Sequence, residues 1–449
     1  MWAGRASVVV HEGRVVALTR PDEAPPAARH TVDAAGLLVL PGGVDPHVHI
    51  GMELGAYTTR DSYAEATTAA LWGGTTTVVD FAIPEPGQPP LDAVRERREA
   101  ASAGLCDTAL HGCVVDWDDT VPAQLAEMTS LGVRTVKLFT TYRDVVMAEP
   151  GTVLRVMAAL NELGGLAYVH AEENHLVESD QERAAKRGAI DASGHAGTRS
   201  ELAELTAVRQ VLATARALGA PVYFVHQSTA AAVDAVRRAR GEGVRAYTET
   251  CPHYLTLDAT RYASYRPELY VCCPPLRPWG TVLAVVDRAL SHDVDTIGSD
   301  HCCYDTEQKR ADRHDVRVMP NGMPGVETRM PIAFDELVVR RALPVERFVA
   351  LTSANPARLN GLYPRKGVIG PGSDADLVVL DPYLSRRVRA VDLHMATDYT
   401  PYEGRDVTGW PVTVVRGGRV VLSEGALATN LRHGRALAAD PISQDQLVC

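Results

Sequence analysis

The pattern of hydrophobic positions divides the chain into three stretches. At the start, short apolar runs alternate with turn residues. Ala6–Val10 and Arg14–Leu18 flank Glu12-Gly13 in a hairpin pattern, Pro21–Pro26 read as a loop, and Leu37–Leu40 runs into the break Pro41-Gly42-Gly43. From Val44 to about Arg340 the rhythm changes. Apolar runs at Val44–His49, Thr75–Ala82, Ala109–Val115, Thr135–Phe139, Ala167–Ala171, Val222–Gln227, Arg245–Cys251 and Thr296–Asp300 have strand length. Between them lie Ala-rich, mostly amphipathic segments: Asp61–Trp72, Leu91–Ala103, Thr120–Leu131, Thr152–Leu163, Arg199–Leu218, Thr229–Arg240 and Pro278–Ser291. Strands alternating with helices of this size predict an α/β fold, a closed (β/α)8 TIM-like barrel. An open doubly wound sheet is the alternative, but no Gly-rich dinucleotide fingerprint follows the first strand.

Beyond the barrel, Ala375–Leu380 and Val412–Leu422 again alternate like strands. Neither end of the chain carries enough strands for a stable sheet alone. Both ends are therefore expected to build one small β-sandwich domain. The expected division is residues 1–43 and 367–430 for that domain, 44–366 for the barrel, and 431–449 for a C-terminal tail, mobile or reaching another subunit.

Size and charge narrow the function. A chain of 449 residues accommodates a barrel and a second unit. Its formal net charge of -11, with both signs interspersed, argues against nucleic acid or an anionic membrane as partner. The start of the chain lacks a signal-peptide pattern, and no apolar stretch reaches the roughly 18 residues needed to cross a bilayer. The cysteines, Cys106, Cys113, Cys251, Cys272, Cys273, Cys302, Cys303 and Cys449, show no zinc-ribbon spacing. They read as reduced thiols of a cytoplasmic protein.

The chemistry is carried by where six residues fall. His47 and His49 end the first strand at i and i+2, so their imidazoles share a face. His170 ends the fifth strand, His226 the sixth and Asp300 the eighth, at the face where barrel active sites form. Lys137 lies inside the apolar fourth strand, where an ammonium is costly unless paired or neutralised. Reaction with carbon dioxide would convert it into a carbamate that can bridge two metals. One metal would have His47, His49, Asp300 and the carbamate; the other would have His170, His226 and the carbamate. Such a pair can share a hydroxide at neutral pH. Taken singly, each residue has a plainer reading: a packed barrel histidine, a helix N-cap for Asp300, a salt-bridged Lys137. Their joint placement on five strands favours the metal. His253 and His301, just past strand ends, read as hydrogen-bonding residues rather than ligands. The adjacent cysteine pairs read as packing residues.

Several motifs carry a resemblance. Pro41-Gly42-Gly43-Val44-Asp45-Pro46-His47-Val48-His49 resembles the signature of the amidohydrolase superfamily. Glu249-Thr250-Cys251-Pro252-His253-Tyr254-Leu255, Gly298-Ser299-Asp300-His301-Cys302 and Asn321-Gly322-Met323-Pro324-Gly325-Val326-Glu327 resemble its hydantoinase, dihydropyrimidinase and allantoinase branch. The resemblance runs from about Val8 to Leu422. It implies two divalent metal ions, zinc by preference, a carboxylated Lys137 and a homotetramer. It further implies that Tyr142 binds the ring carbonyl and stabilises its oxyanion, and that the backbone at Cys273 and Asn321 holds the imide. Asp300 would be both ligand and proton shuttle. The arginine that dihydroorotase-like members carry just after His-x-His is replaced by Ile50-Gly51, with Arg60 the nearest. The expected substrate is therefore a small neutral cyclic imide or ureide, of hydantoin or dihydropyrimidine type, opened to an N-carbamoyl amino acid. His253 and Thr400–Gly404 have an allantoinase flavour, so allantoinase is the alternative. A non-catalytic dihydropyrimidinase-like assembly protein and a deaminase fit less well, because the ligand set is complete and includes Lys137.

Overall fold

The computed structural model describes residues 4–20, 22–23 and 26–442. Parts of the expected Pro21–Pro26 loop, residues 443–449 of the expected tail and Cys449 lie outside the described residues.

Eight parallel strands form the barrel. They run in chain order from Gly43–His49 through Thr75–Phe81, Asp107–Cys113, Thr135–Phe139, Leu166–His170, Val222–Phe224 and Ala246–Thr250 to Thr296–Ile297. Alternation along each strand explains what faces the axis. Val136 and Leu138, with Ala167 and Val169, join the apolar layer packed under the helices. That leaves Lys137 and the series Leu166, Tyr168 and His170 for the interior. The eighth strand is broken in two. Thr296–Ile297 pairs with the seventh strand, and His301–Cys302 pairs with the first, His301 opposite Val48 and Cys302 opposite His49. Asp300 sits in the gap at a φ of +48°, out of the ladder.

The helices start and stop on local chemistry. Ser62 and Glu65 form a reciprocal capping box before Tyr63–Trp72, and Ser200 and Thr229 cap Glu201–Leu218 and Ala230–Gly241. Between the fifth and sixth strands the chain inserts a helix the hydrophobic pattern did not predict, Asn174–Lys186, and a 3-10 turn, Ala192–Thr198, that ends beside Arg199.

Both ends build the small β domain. Its antiparallel sheet has the order Ala426–Leu427, Arg419–Ser423, Asp406–Arg416, Leu377–Arg387, Leu38–Pro41. The hairpin Ser7–His11/Arg14–Thr19 is tied to it through backbone bonds between Val15 and both Ser373 and Gly372. The close approach of Gly13 and Gly418 leaves no room for a Cβ on Gly418, which lies at a φ of +75°.

The tail does not stand off the molecule. Residues 434–442 lie along the N-terminal end of the barrel of their own chain. Backbone bonds join Arg435 and Leu437 to Thr108, Ala439 to Gly132, Asp440 to Gly361 and Ile442 to Gly164. Leu437 packs on Val44 and Val79, and Ile442 on Leu166 and Tyr168. Each such burial is worth about 1.5–3 kcal/mol.

Candidate metal centre and active site

His47 and His49 leave the same face of the first strand, and their Nε2 atoms stand 3.2 Å apart. Oδ1 of Asp300 completes a triangle, 3.1 Å from His47 and 3.4 Å from His49. Two ring nitrogens and a carboxylate oxygen converging this closely suit a cation at their centre. The other nitrogen of His47 is fixed. Its Nδ1–H donates to Oε1 of the buried Glu249 at 2.7 Å, so the Nε2 lone pair faces the triangle. Glu249 also accepts from the His226 backbone N–H at 2.9 Å and the Tyr223 hydroxyl at 2.8 Å. Burial lowers the pKa of His47, but Glu249 and Asp300 outweigh it and raise the pKa above its ordinary value. At His49 burial wins and pushes it down to about 4.

The second pair of histidines adjoins the first. The rings of His170 and His226 are 4.5 Å apart, and His226 lies 5.4 Å from His47. Nε2 of His170 bonds Oε2 of Glu172 at 2.7 Å, which turns its Nδ1 away from that carboxylate. Nδ1 of His226 is buried without a hydrogen-bond partner.

Lys137 reaches up from mid-strand among these groups. It is 1% exposed, and its Nζ lies 4.6 Å from the ring centre of Phe81 and 5.0 Å from that of Phe139. Among the described residues it forms no ion pair. Burial pushes its pKa down to about 8, against the pull of Asp300 and Glu249. Its positive charge disfavours protonation of His47, His49, His170 and His226 alike. A buried amine with a depressed pKa beside four imidazoles fits conversion to an anionic ligand better than an ammonium.

Tyr142 follows the fourth strand, its ring 5.4 Å from His170. Burial raises the pKa of its hydroxyl well above the usual value, and the Cys273 thiol beside it adds to that rise. The Cys273 Sγ in turn lies 3.2 Å from Oδ1 of Asn321. The three residues expected to contact substrate therefore adjoin one another beside the histidine cluster. Tyr142, His226 and Asp300 all have positive φ, at +69°, +39° and +48°. For non-glycine residues this costs about 1–3 kcal/mol each, strain typical of functional sites.

Several supporting residues escaped the sequence reading. Glu249 and Glu172 orient histidines. Arg199 pairs with Glu172 at 2.6 Å. Nζ of Lys309 donates to the carbonyls of Val271 and Pro320, at 2.8 and 2.9 Å, and so ties together the segments bearing Cys273 and Asn321. His195 donates to the Cys272 carbonyl at 2.8 Å. The available signal was charge at the end of an apolar strand, as in Glu249 and Glu172; Glu249 lies 202 residues from His47, whereas Glu172 lies two residues from His170. His301 is held by Asp61 at 2.9 Å and by the backbone N–H of Gly325 at 3.0 Å. Asp107, Asp374 and Asp376 surround Lys366. Arg60 is engaged by Asp305 and Arg143 by Glu178.

Fold and site together define a barrel of the hydrolase type with a cluster of candidate metal ligands at the C-terminal face of its strands. The model of the Amidohydrolase family matches residues 38–421. A D-hydantoinase of Streptomyces coelicolor is 38% identical over 96% of this chain and 93% of its own. A dihydropyrimidinase of Rattus norvegicus is 34% identical over 98% and 86%. The crystal structure of dihydropyrimidinase from Brevibacillus agri superposes with a TM-score of 0.94 at 34% identity, covering 98% of this chain and 96% of that one. The chain belongs to the amidohydrolase family, in its hydantoinase and dihydropyrimidinase branch, and is a cyclic amidohydrolase. An allantoinase is not indicated. Among the described residues no helix is long and apolar enough to cross a membrane.

Proposed function

We propose that this protein hydrolyses the cyclic amide bond of a neutral imide or ureide, of hydantoin or dihydropyrimidine type, to an N-carbamoyl amino acid. The observation that carries the reading is the convergence of His47, His49 and Asp300 beside His170, His226 and the buried Lys137. His47, His49 and Asp300 would hold one divalent ion, His170 and His226 a second, and Lys137, as a carbamate, both. Such ions, zinc by resemblance, would supply a hydroxide nucleophile at neutral pH and polarise the carbonyl. Tyr142 donates its hydroxyl hydrogen to the carbonyl oxygen as negative charge develops there. Cys273 and Asn321 hold the ring through their backbone. Asp300 accepts the nucleophile's proton and delivers it to the ring nitrogen as the C–N bond breaks. Water is thereby added across one amide bond, leaving a carboxylate and a ureido group.

A neutral ring is favoured by charge. A ring carboxylate buried here would need a dedicated cation. Ile50 and Gly51 follow His49, and Arg60 and Arg143 are engaged elsewhere. The buried Arg199 is neutralised by Glu172. The same reading carries a cytoplasmic location, with the described cysteines as free thiols, and a homotetramer, to be checked by sedimentation. The deciding experiment is turnover of hydantoin, dihydrouracil, allantoin and dihydroorotate by the purified, metal-loaded protein. Hydantoin or dihydrouracil should be hydrolysed far faster than the other two. Comparable kcat/KM for dihydroorotate would overturn the neutral-ring reading.

A further inference from the structure

One buried guanidinium touches both halves of the site. Arg199 follows the 3-10 turn Ala192–Thr198 and is 4% exposed. Its Cζ lies 4.7 Å from the centre of the Tyr142 ring. Its Nη1 donates to Oε2 of Glu172 at 2.6 Å, and that same oxygen takes the 2.7 Å bond from Nε2 of His170. Its own carbonyl accepts from Nη1 of Arg277 at 2.6 Å, in the segment that also carries Cys273.

We propose that Arg199 is a positioning residue that couples the Tyr142 phenol to the His170 imidazole through Glu172. This rests on the reading of Tyr142 as the oxyanion donor and His170 as a metal ligand. Two separate actions follow from the geometry. The cation over the Tyr142 ring restrains its orientation. It also places positive potential beside the hydroxyl, which favours donation to a developing oxyanion. The ion pair holds Oε2 of Glu172 against Nε2 of His170. A carboxylate there accepts the Nε2–H of His170 and commits Nδ1 to the cluster. The two actions need different features of the side chain. Contact with the ring face favours the broad guanidinium, whereas the ion pair needs only a positive charge, which lysine can supply.

That difference sets the experiment. Arg199→Lys, Tyr142→Phe and the double variant are assayed on hydantoin, or on dihydrouracil if that is the better substrate, with metal content measured after dialysis against a chelator. Arg199→Lys is expected to retain its metal and to lose on the order of tenfold in kcat, with KM little changed. The double variant should be no slower than Tyr142→Phe alone, because the ring contact acts only through that hydroxyl. Arg199→Gln, which also loses the ion pair, should release metal more readily. It serves for the kinetic comparison should Arg199→Lys not fold. An unimpaired Arg199→Lys, or a double variant whose losses multiply, overturns the coupling while leaving the role of Tyr142 intact. Full turnover by Tyr142→Phe would instead remove the oxyanion reading, and the coupling with it.

Discussion

Glu249 accepts a 2.7 Å hydrogen bond from Nδ1 of His47 and so decides which nitrogen of that imidazole faces Asp300. Both partners are fully buried, and no water competes for the contact. Glu249→Gln removes the charge but keeps a similar shape. It is expected to weaken metal retention by about 10–100-fold, the range for a carboxylate that orients a ligand histidine. Chelator competition measures this; unaltered retention would show that His47 is oriented by packing on Phe81 instead.

Lys137→Ala removes the side chain proposed to serve both histidine pairs. Metal content and turnover should fall together, and short-chain carboxylates such as acetate or propionate should restore part of both by occupying the vacated space. The melting temperature of the metal-free protein is the control. It should rise or hold steady, because the substitution deletes a buried amine without an ion pair. Loss of turnover with full metal content would contradict the bridging role.

Asp300→Asn keeps an oxygen near His47 and His49 but cannot carry a proton between nucleophile and ring nitrogen. Turnover should drop by about 10²–10⁴-fold with much of the metal kept. Near-normal kcat would refute the shuttle. The fold should tolerate the change, since asparagine accepts the positive φ of +48° at this position readily.

The sequence exposes the site through period and position. His47 and His49 at i and i+2, with His170, His226 and Asp300 at strand ends, are legible because a barrel brings every strand's C-terminal end to one rim. The helix at Asn174–Lys186 was missed because its polar run from Glu178 to Arg183 breaks the apolar rhythm of its neighbours. Glu249 and Glu172 could be seen as charges near strand ends, but not as the partner of His47 and the link from His170 to Arg199. The first pairing spans 202 residues and is set by the fold; in the second, Glu172 is two residues past His170, and it is the bond to Arg199 that the spacing does not reveal. The tail shows the same limit. Gly132 and Gly434 are ordinary glycines on paper. In the fold a Cβ on Gly434 would meet the Cys106 carbonyl, and one on Gly132 would meet Ala438, which is how the tail comes to lie flush against the barrel.

That docked tail is fastened by a network with a pH signature. Asp107, at the start of the third strand, faces Lys366, Arg416 and Arg435; Asp374 shares Lys366 and Arg435, and Asp376 shares Lys366. Burial by itself would raise the pKa of Asp107. Lys366 and Arg435 reverse this and hold it at about 2, against an ordinary value of 3.8. A carboxylate whose folded pKa is depressed stabilises the fold above its unfolded pKa, and that contribution is lost as pH falls towards the folded one. Asp107 should therefore contribute about 2 kcal/mol at neutral pH. The contribution should stay level down to about pH 5 and shrink to about half by pH 3. Asp107→Asn tests this directly. It should unfold at lower denaturant than the parent at pH 7, and the gap should narrow as pH falls from 5 to 3. Limited proteolysis should also find the chain after Leu431 easier to cut in the variant, because Arg435 loses the carboxylate that anchors it. A gap that stays constant across that pH range would mean that Asp107 acts through shape alone, with its charge already offset by Asp374 and Asp376.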